Sequence, residues 1–375
     1  MKVEFYRHNL QETGSEELEE ALAGVFLTTG PRTALFESEL CGFMGRERAV
    51  GLMSCTHALE LVLRYHGIGE GDEVVTTPMS FVATANAVEH AGARPVFVDV
   101  EPGTGNIDAS RIEAAITPRT KAIMPVHLYG QLCDMRAIGD IARRHGLVVV
   151  EDAAHTFEAR RDGIGVGELG AACLSFYATK NITSGEGGAV VCDDPGLADW
   201  LVKARLHGVS RDASSRYTGL YKHYDMDFLG YKSNMTDIQA ALLLPQVRRA
   251  QELLNRRSQV AGWYDARLAH VSGVRVPDVL DGVHGRHLYT VLVDPARRDA
   301  VLHGLQDREI GVAVNYRPMH LMRYYREKYG FRPGDFPEAE RFGDSTVTLP
   351  FYPGLSEEKV DYVVESLSAA LEEAG

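Results

Sequence analysis

Short apolar runs alternate with helical patterns through the first two thirds of the chain. The runs have the length and apolar content of buried strands, and they occupy residues 49–53, 74–77, 95–100, 121–126, 147–151, 171–176 and 189–192. Helical patterns separate most of them, at 55–65, 81–92, 110–116 and 135–145, and a further one follows the last run at 195–205. This alternation predicts an α/β fold with a mostly parallel central sheet and helices on both of its faces.

The pattern changes after a strongly helical stretch at 236–253. Helical patterns then recur at 259–270, 298–305 and 357–371, and strand patterns at 288–293, 312–316 and 346–349. We therefore predict two domains, a large α/β domain at 1–254 and a smaller C-terminal α+β domain at 255–375. Residues 207–233 form a long polar, tyrosine-rich loop, and loops of that length are usually functional or disordered.

Composition and charge narrow the class of protein. The 375 residues are 45% hydrophobic and 24% charged, which is ordinary for a globular protein. A net charge of −13 argues against a nucleic-acid partner, because such a partner requires a basic face. Neither a signal-like N-terminus nor an apolar run of membrane-spanning length is present, so we expect a cytoplasmic protein with no membrane partner.

The five cysteines argue against a disulfide framework. Their number is odd, their spacing is wide and no Cys-x-x-Cys pair occurs. A zinc site is disfavoured for the same reason. We expect Cys173 and Cys192, which lie in apolar runs, to be small core residues. The other three cysteines are Cys41, Cys55 and Cys133.

Two polar residues follow apolar runs and suggest chemistry. Lys180 lies just beyond the run at 171–176, in a loop rich in small residues and glycine. It is either a surface lysine or an amine kept neutral by partial burial, which can form a Schiff base with a carbonyl cofactor. Asp152 directly follows the run at 147–151, at the edge where parallel sheets bind ligands. Pyridoxal phosphate requires both a lysine and a carboxylate that faces its ring nitrogen.

Several motifs carry a resemblance to a known family. Glu-Asp-Ala-Ala-His at 151–155, Ser-Phe-Tyr-Ala-Thr-Lys-Asn at 175–181 and Gly-Glu-Gly-Gly at 185–188 resemble the pyridoxal-phosphate-dependent nucleotide-sugar aminotransferases of the DegT/DnrJ type. Further matches at 27–31, 69–73, 127–130 and 234–240 extend the resemblance nearly from end to end. It implies the fold type I of the aspartate aminotransferase superfamily and pyridoxal 5'-phosphate as cofactor.

The resemblance also implies the reaction. We expect the enzyme to transfer an amino group from L-glutamate to a nucleotide-linked keto sugar. A ketone at C4 is preferred, because the stretch 315–320 and the pair Tyr324-Tyr325 look most like the branch that aminates 4-keto sugars. A 3-keto sugar and a keto-cyclitol are alternatives. A non-catalytic, cofactor-binding regulatory protein is an alternative of another class.

Within the family, specific residues of this chain match the cofactor site. Lys180 and Asp152 are the catalytic residues by this resemblance, and His155 bonds the phenolic oxygen of the cofactor. Phe81, which could also be a core residue, stacks on the pyridine ring. Asp152 and His155 could alternatively be metal ligands, but no third ligand lies nearby in the sequence.

The phosphate of the cofactor is expected at a helix start. Ser54 to Thr56 opens the helical pattern at 55–65, and a helix N-terminus presents free N–H groups to an anion. By resemblance Cys55, Thr56 and Ser175 bind this phosphate, although the family usually has glycine at the position of Cys55. Without a role in phosphate binding, the residues at this helix start would serve only as an N-cap, and Ser175 would only form part of a turn.

Four other residues have expected roles by resemblance alone. Thr29, Tyr316 and His320 would face the substrate, and otherwise Thr29 is part of a turn and His320 is a solvated loop residue. Asn234 would reach the cofactor phosphate of a neighbouring subunit, although it could also be only a helix cap. A homodimer with shared active sites is therefore expected.

Overall fold

The computed structural model describes residues 1–12, 14–210 and 223–375. The expected loop at 207–233 therefore lies partly outside the described residues. The helices are α1 (Glu16–Ala23), α2 (Pro31–Met44), α3 (Cys55–Tyr65), α4 (Ala83–Ala91), α5 (Ala109–Ile112), α6 (Met135–His145), α7 (Pro195–Ala204), α8 (Asp237–Arg248), α9 (Ala250–Leu268), α10 (Arg298–Asp307), α11 (Arg323–Tyr329), α12 (Pro337–Ser345) and α13 (Glu357–Glu373). The strands are β1 (Arg48–Leu52), β2 (Glu73–Thr76), β3 (Arg94–Phe97), β4 (Thr120–Met124), β5 (Val148–Asp152), β6 (Arg160–Arg161), β7 (Ile164–Gly165), β8 (Ala171–Ser175), β9 (Gly188–Cys192), β10 (Tyr289–Leu292) and β11 (Thr346–Leu349).

Seven strands form the central sheet, in the order β1-β9-β8-β5-β4-β2-β3. β9 runs antiparallel to both of its neighbours, whereas the pairs from β8 to β3 are parallel. No helix separates β8 from β9, so the chain returns directly instead of making the crossover that a parallel pair requires. The prediction of a mostly parallel sheet is confirmed.

Both faces of the sheet are covered, as its apolar runs predict. Successive residues of a strand point to opposite faces, and Val149 and Val150 of β5 accordingly belong to two different hydrophobic cores. Helix α8 contributes Leu243 to the core that holds Val149, and α3 contributes Leu59 to the other. The carboxyl ends of β5 and β8 are thereby left at one edge, between covering helices.

The helix predicted at 236–253 is corrected in one respect. The structure divides it at Arg249, which has non-helical backbone angles, and α9 then continues without a break through residue 255. Ala250 at the start of α9 packs into the core on one face of the sheet, whereas Val260 and Tyr264 pack into a C-terminal core. The periodicity hides the break because apolar positions continue on both sides. The domain division at 254/255 stays a prediction.

The C-terminal core is built around the antiparallel pair of β10 and β11, which α9, α10 and α13 cover. Val3 also belongs to this core and pairs with Ile310, so the first residues of the chain pack against its last third. The strand predicted at 312–316 is wrong, since Ala313 makes only a single bridge to Thr348. In the described part of the chain, no helix is both long and apolar enough to cross a membrane.

Candidate active site

A cavity of about 520 Å³ lies at the carboxyl ends of β5 and β8. Its walls come from the start of α3, the start of α4, the loop after β8 and a C-terminal segment at residues 315–316. Eight of the residues expected at the site line it together, namely Cys55, Thr56, Phe81, Asp152, His155, Ser175, Lys180 and Tyr316. Residues that are far apart in the sequence therefore converge on one space of a size typical for small-molecule sites.

Lys180 lies in the turn that follows β8. Its backbone N–H donates to Tyr177 O at 2.9 Å, and its carbonyl accepts a hydrogen bond from the Tyr6 hydroxyl at 3.0 Å. Burial lowers the pKa of the Lys180 amine to about 8, although the negative charge of Asp152 opposes the shift. A substantial fraction of this amine is therefore neutral near pH 8, as a nucleophilic lysine requires.

Asp152 is the last residue of β5 and is almost completely buried. Its Oδ2 accepts a hydrogen bond from Thr84 Oγ1 at 2.7 Å, and its Oδ1 accepts one from the Ala154 N–H at 3.1 Å. Among the described residues, no cation forms an ion pair with this carboxylate. An unpaired buried carboxylate is costly, and a protonated ring nitrogen in the cavity would balance its charge. The site therefore fits the charge of bound pyridoxal phosphate.

The start of α3 forms a cradle that is suited to an anion. Ser54 caps the helix, since its Oγ accepts the His57 N–H at 3.2 Å. The N–H groups of Cys55 and Thr56 precede the first intrahelical bonds, so they stay available to a phosphate. The Cys55 thiol, present where the family usually has glycine, donates to the carbonyl of Cys173 at 3.2 Å. The cysteine is thus accommodated without loss of the backbone donors.

Gly188 brings the opposite wall close to this cradle. It pairs with Leu52 of β1 and with Ser175 of β8. A Cβ atom at Gly188 would lie 2.3 Å from the carbonyl carbon of Ser54, which only glycine avoids. Ser175, which lines the cavity, is held beside the helix start in this way.

His155 presents an N–H group to the cavity. Its Nδ1 accepts the N–H of Tyr129 at 3.1 Å, which leaves the ring proton on Nε2. Nε2 donates to the hydroxyl of Tyr316 at 2.9 Å. Burial holds the pKa of His155 well below its usual range, so the ring is neutral. The expected role requires the same N–H to donate to a phenolic oxygen, which would then take the place of the Tyr316 hydroxyl as its acceptor.

Phe81 is a large aromatic residue left 58% exposed at the cavity. Its ring centre lies 6.2 Å from that of Tyr316, so two aromatic rings border the same space. An exposed ring at this place fits stacking on a flat heterocycle better than membership of the core.

Three expected residues do not line the cavity. Thr29 and Asn234 lie next to each other, where Asn234 Nδ2 donates to the hydroxyls of Thr28 and Thr29 at 2.7 Å each. Lys232 Nζ donates to Asn234 Oδ1 at 2.7 Å. These residues thus form a separate polar cluster, here called the Asn234 cluster.

The expected position of His320 is corrected. The residue is fully buried, its Nε2 bonds Glu340 Oε1 at 2.9 Å, and its ring packs against Phe336. Burial also lowers its pKa. The aromatic residues around this position enclose the histidine, so it supports the fold and does not face the cavity in this chain.

Sequence reasoning missed several residues that line the cavity. They are Ser80, Thr84, Tyr177, Glu186 and Asn315. Ser80 and Thr84 flank Phe81 at the start of α4, and their spacing of four residues was the available signal. Asn315 gave no such signal, because its backbone enters the site from a segment without regular structure.

The arrangement suits one kind of chemistry. Bound pyridoxal phosphate supplies an electron sink that stabilises negative charge at the α-carbon of an amino acid. The protein contributes an amine of lowered pKa, a buried carboxylate, a helix start suited to a phosphate and a neutral histidine donor.

Comparisons with known proteins agree with this chemistry. The profile of the DegT/DnrJ/EryC1/StrS aminotransferase family matches residues 8–368. The chain is 42% identical over 374 residues to the spore coat polysaccharide biosynthesis protein SpsC of Bacillus subtilis (strain 168), with 97% of this chain and 96% of that protein covered.

Solved structures are similar over the whole chain. The aminotransferase TlmJ from Streptoalloteichus hindustanus superimposes with a TM-score of 0.92 at 33% identity, and all of both chains is covered. DesV of S. venezuelae superimposes with a TM-score of 0.90 at 34% identity, covering 100% of this chain and 98% of DesV. The chain therefore belongs to the DegT/DnrJ/EryC1/StrS family of sugar aminotransferases and is a pyridoxal-phosphate-dependent aminotransferase.

Proposed function

We propose that this enzyme transfers an amino group from L-glutamate to the ketone of a nucleotide-linked sugar, with C4 as the preferred position. The observation that carries the proposal is the presence in one cavity of a lysine of lowered pKa, Lys180, and a buried carboxylate, Asp152, that forms no ion pair with the described residues. Such a pair fits amino transfer and has no evident use in a purely structural protein.

The positions of the residues support the following roles. Lys180 would take the proton from the α-carbon of the amino donor and return it to the aldehyde carbon of the cofactor. Asp152 would hold the proton on the ring nitrogen, and His155 would donate to the phenolic oxygen. The N–H groups of Cys55 and Thr56 and the hydroxyl of Ser175 would hold the phosphate. Phe81 would cover one face of the ring.

The sugar substrate is supported by the family and by the name of SpsC, which refers to polysaccharide biosynthesis. Tyr316 lines the cavity beside Phe81 and is the proposed substrate contact of the C-terminal region. The choice of C4 rests on the stretch 315–320 with Tyr324-Tyr325. A 3-keto sugar and a keto-cyclitol remain the alternative acceptors.

A homodimer with shared active sites is part of the proposal. The Asn234 cluster combines an amide, two hydroxyls and an ammonium group but lies outside the cavity of its own chain. Those groups suit a phosphate or a sugar in the site of a second copy. Exposed apolar side chains near the same loop, Leu22, Val25 and Leu27, suit an interface. A reducing cytoplasm is the proposed location, because all five cysteines are free.

The test uses the purified enzyme with L-glutamate and a panel of nucleotide-linked 4-keto sugars, 3-keto sugars and keto-cyclitols. We expect amination at C4, identified by NMR of the product. Lys180→Ala should abolish turnover, whereas Lys121→Ala, at an exposed lysine on β4, should leave it unchanged.

The other outcomes are equally informative. An amine at C3 or on a cyclitol refutes the C4 assignment. An enzyme that exchanges its amino group with glutamate but aminates none of these acceptors has a different substrate class. A protein that binds the cofactor but never reacts with glutamate would be the non-catalytic regulator.

A further inference from the structure

Two buried hydroxyl groups form a chain that ends on Asp152. Ser80 Oγ lies 2.8 Å from Thr84 Oγ1, and Thr84 Oγ1 lies 2.7 Å from Asp152 Oδ2. Ser80 is 3% exposed and Thr84 is 1% exposed. Thr84 is in the first turn of α4 and Asp152 ends β5, so the contact joins elements that are 68 residues apart.

The direction of both hydrogen bonds is determined by chemistry. An ionised carboxylate only accepts hydrogen bonds, so the single hydroxyl proton of Thr84 goes to Asp152. Thr84 then has only lone pairs to offer Ser80, so Ser80 donates to Thr84. The two hydroxyls therefore polarise each other in the direction that favours negative charge on Asp152.

Few other groups support that charge. The Ala154 N–H donates to Oδ1 at 3.1 Å. The Cys55 thiol is 4.0 Å from Oδ1 and has a closer acceptor in the Cys173 carbonyl at 3.2 Å. Thr84 accordingly donates the shortest hydrogen bond to this carboxylate within the described chain.

We propose that Ser80 and Thr84 are positioning residues that keep Asp152 ionised and oriented, so that the proton shared between Asp152 and the cofactor stays on the ring nitrogen. The inference rests on the proposed pairing of Asp152 with that nitrogen. A donated hydrogen bond stabilises the negative charge of a carboxylate. Without the donor the shared proton moves toward Asp152, the ring loses its positive charge, and proton removal at the α-carbon of the amino donor slows.

The test compares Thr84→Val, which removes the hydroxyl at nearly constant volume, with Thr84→Ser, which keeps it. Thr76→Val is the matched control, because Thr76 is equally buried and its hydroxyl donates at 2.7 Å to the carbonyl of Met124, away from Asp152. Each protein is loaded with cofactor labelled with ¹⁵N in the ring, and NMR reports whether the ring nitrogen is protonated. The half-reaction with glutamate, followed over a single turnover, gives the limiting rate constant and the glutamate concentration at half of that rate, without any sugar acceptor.

Thr84→Val should move the ¹⁵N signal toward that of neutral pyridine and lower the limiting rate constant roughly 10- to 100-fold at a similar half-saturating concentration of glutamate. Thr84→Ser should restore both values, and Thr76→Val should change neither. Ser80→Ala should shift the signal in the same direction by less, and it replaces Thr84→Val if that variant does not fold.

Asp152→Asn distinguishes the role of the hydroxyl pair from the role of Asp152 itself. If Asp152→Asn deprotonates the ring nitrogen but the variants of Thr84 and Ser80 leave it protonated, the role of the hydroxyl pair is refuted and that of Asp152 stands. If Asp152→Asn itself leaves the signal unchanged, both the pairing of Asp152 and the inference are refuted.

Discussion

At the scale of single residues, the site depends on two side chains whose properties burial has altered. Lys180 would be a permanent cation in water, and here burial lowers its pKa to about 8 against the opposing charge of Asp152. Asp152 stays close enough to influence the amine without forming an ion pair with it. The amine can therefore lose its proton, which a tight ion pair would prevent.

This balance predicts the reactivity of the cofactor-free protein. Since burial disfavours the ammonium form, the neutral fraction of Lys180 should reach one half near pH 8, whereas an ordinary lysine does so at ~10.4. Competitive amine labelling across a pH series, read by mass spectrometry of the peptide at 174–188, measures the midpoint. Asp152→Asn should move it to lower pH, because the charge of Asp152 raises the pKa of Lys180.

The control is Asp199→Asn, which removes an exposed carboxylate on α7 and should leave the midpoint unchanged. A midpoint near that of an ordinary lysine would contradict the burial of Lys180.

At the scale of secondary-structure elements, the phosphate cradle depends on how closely β9 approaches the start of α3. Gly188 lies between β1 and β8 in the sheet and against the peptide of Ser54 and Cys55. The missing side chain allows that approach. The antiparallel return of β9 thus places a glycine where the anion site requires close packing.

Gly188→Ala should disrupt this contact. The new Cβ would meet Ser54 at 2.3 Å, so β9 and α3 must separate. We expect a protein that is less stable by about 1–3 kcal/mol, with weaker affinity for pyridoxal phosphate. Chemical denaturation and cofactor titration measure the two effects.

Gly262→Ala is the comparison variant, because nothing lies within 4 Å of the new Cβ in the middle of α9. It should stabilise the protein by about 0.5–1 kcal/mol and leave cofactor affinity unchanged. If Gly188→Ala and Gly262→Ala had the same stability and the same cofactor affinity, the close packing of Gly188 against Ser54 would be refuted as a requirement of the site.

At the scale of the whole molecule, the first residues of the chain connect its C-terminal region to the active site. Val3 packs in the C-terminal core and pairs with Ile310, and Tyr6 bonds the carbonyl of Lys180 at 3.0 Å. Tyr316 reaches the cavity from the same region. One chain thus brings residues from distant parts of the sequence to the cavity, whereas the Asn234 cluster lies outside it.

The shared-site proposal predicts complementation between two inactive variants. Lys180→Ala removes the chemistry of its own site but still supplies Asn234 to the partner. Asn234→Leu damages only the site of the partner. A heterodimer of the two should contain one site with both defects and one intact site, recovering about half of the wild-type activity per dimer if the sites are independent.

Subunit exchange must be demonstrated separately, for example with differently tagged chains. A demonstrated heterodimer without activity, or an active monomer, would contradict the shared site and leave Asn234 as a residue that only supports its own loop.

The sequence by itself determined the periodic elements and the residues that end them. Apolar runs and helical spacing predicted the sheet, and the positions of Lys180 and Asp152 after two such runs predicted the cofactor and the edge of the sheet that binds it. These are properties of local sequence, since periodicity reports which residues are buried and a strand end reports where polar groups emerge.

The tertiary structure alone decided which distant residues touch. It broke the predicted helix at Arg249, buried His320 against Glu340, placed Thr84 on Asp152 and kept Asn234 outside the cavity of its own chain. The periodicity of the sequence predicts none of these features, because each depends on the packing of elements that are remote in the sequence. Burial also lowers the pKa of Lys180. No local sequence pattern predicts this shift, because the whole surrounding structure produces the desolvation.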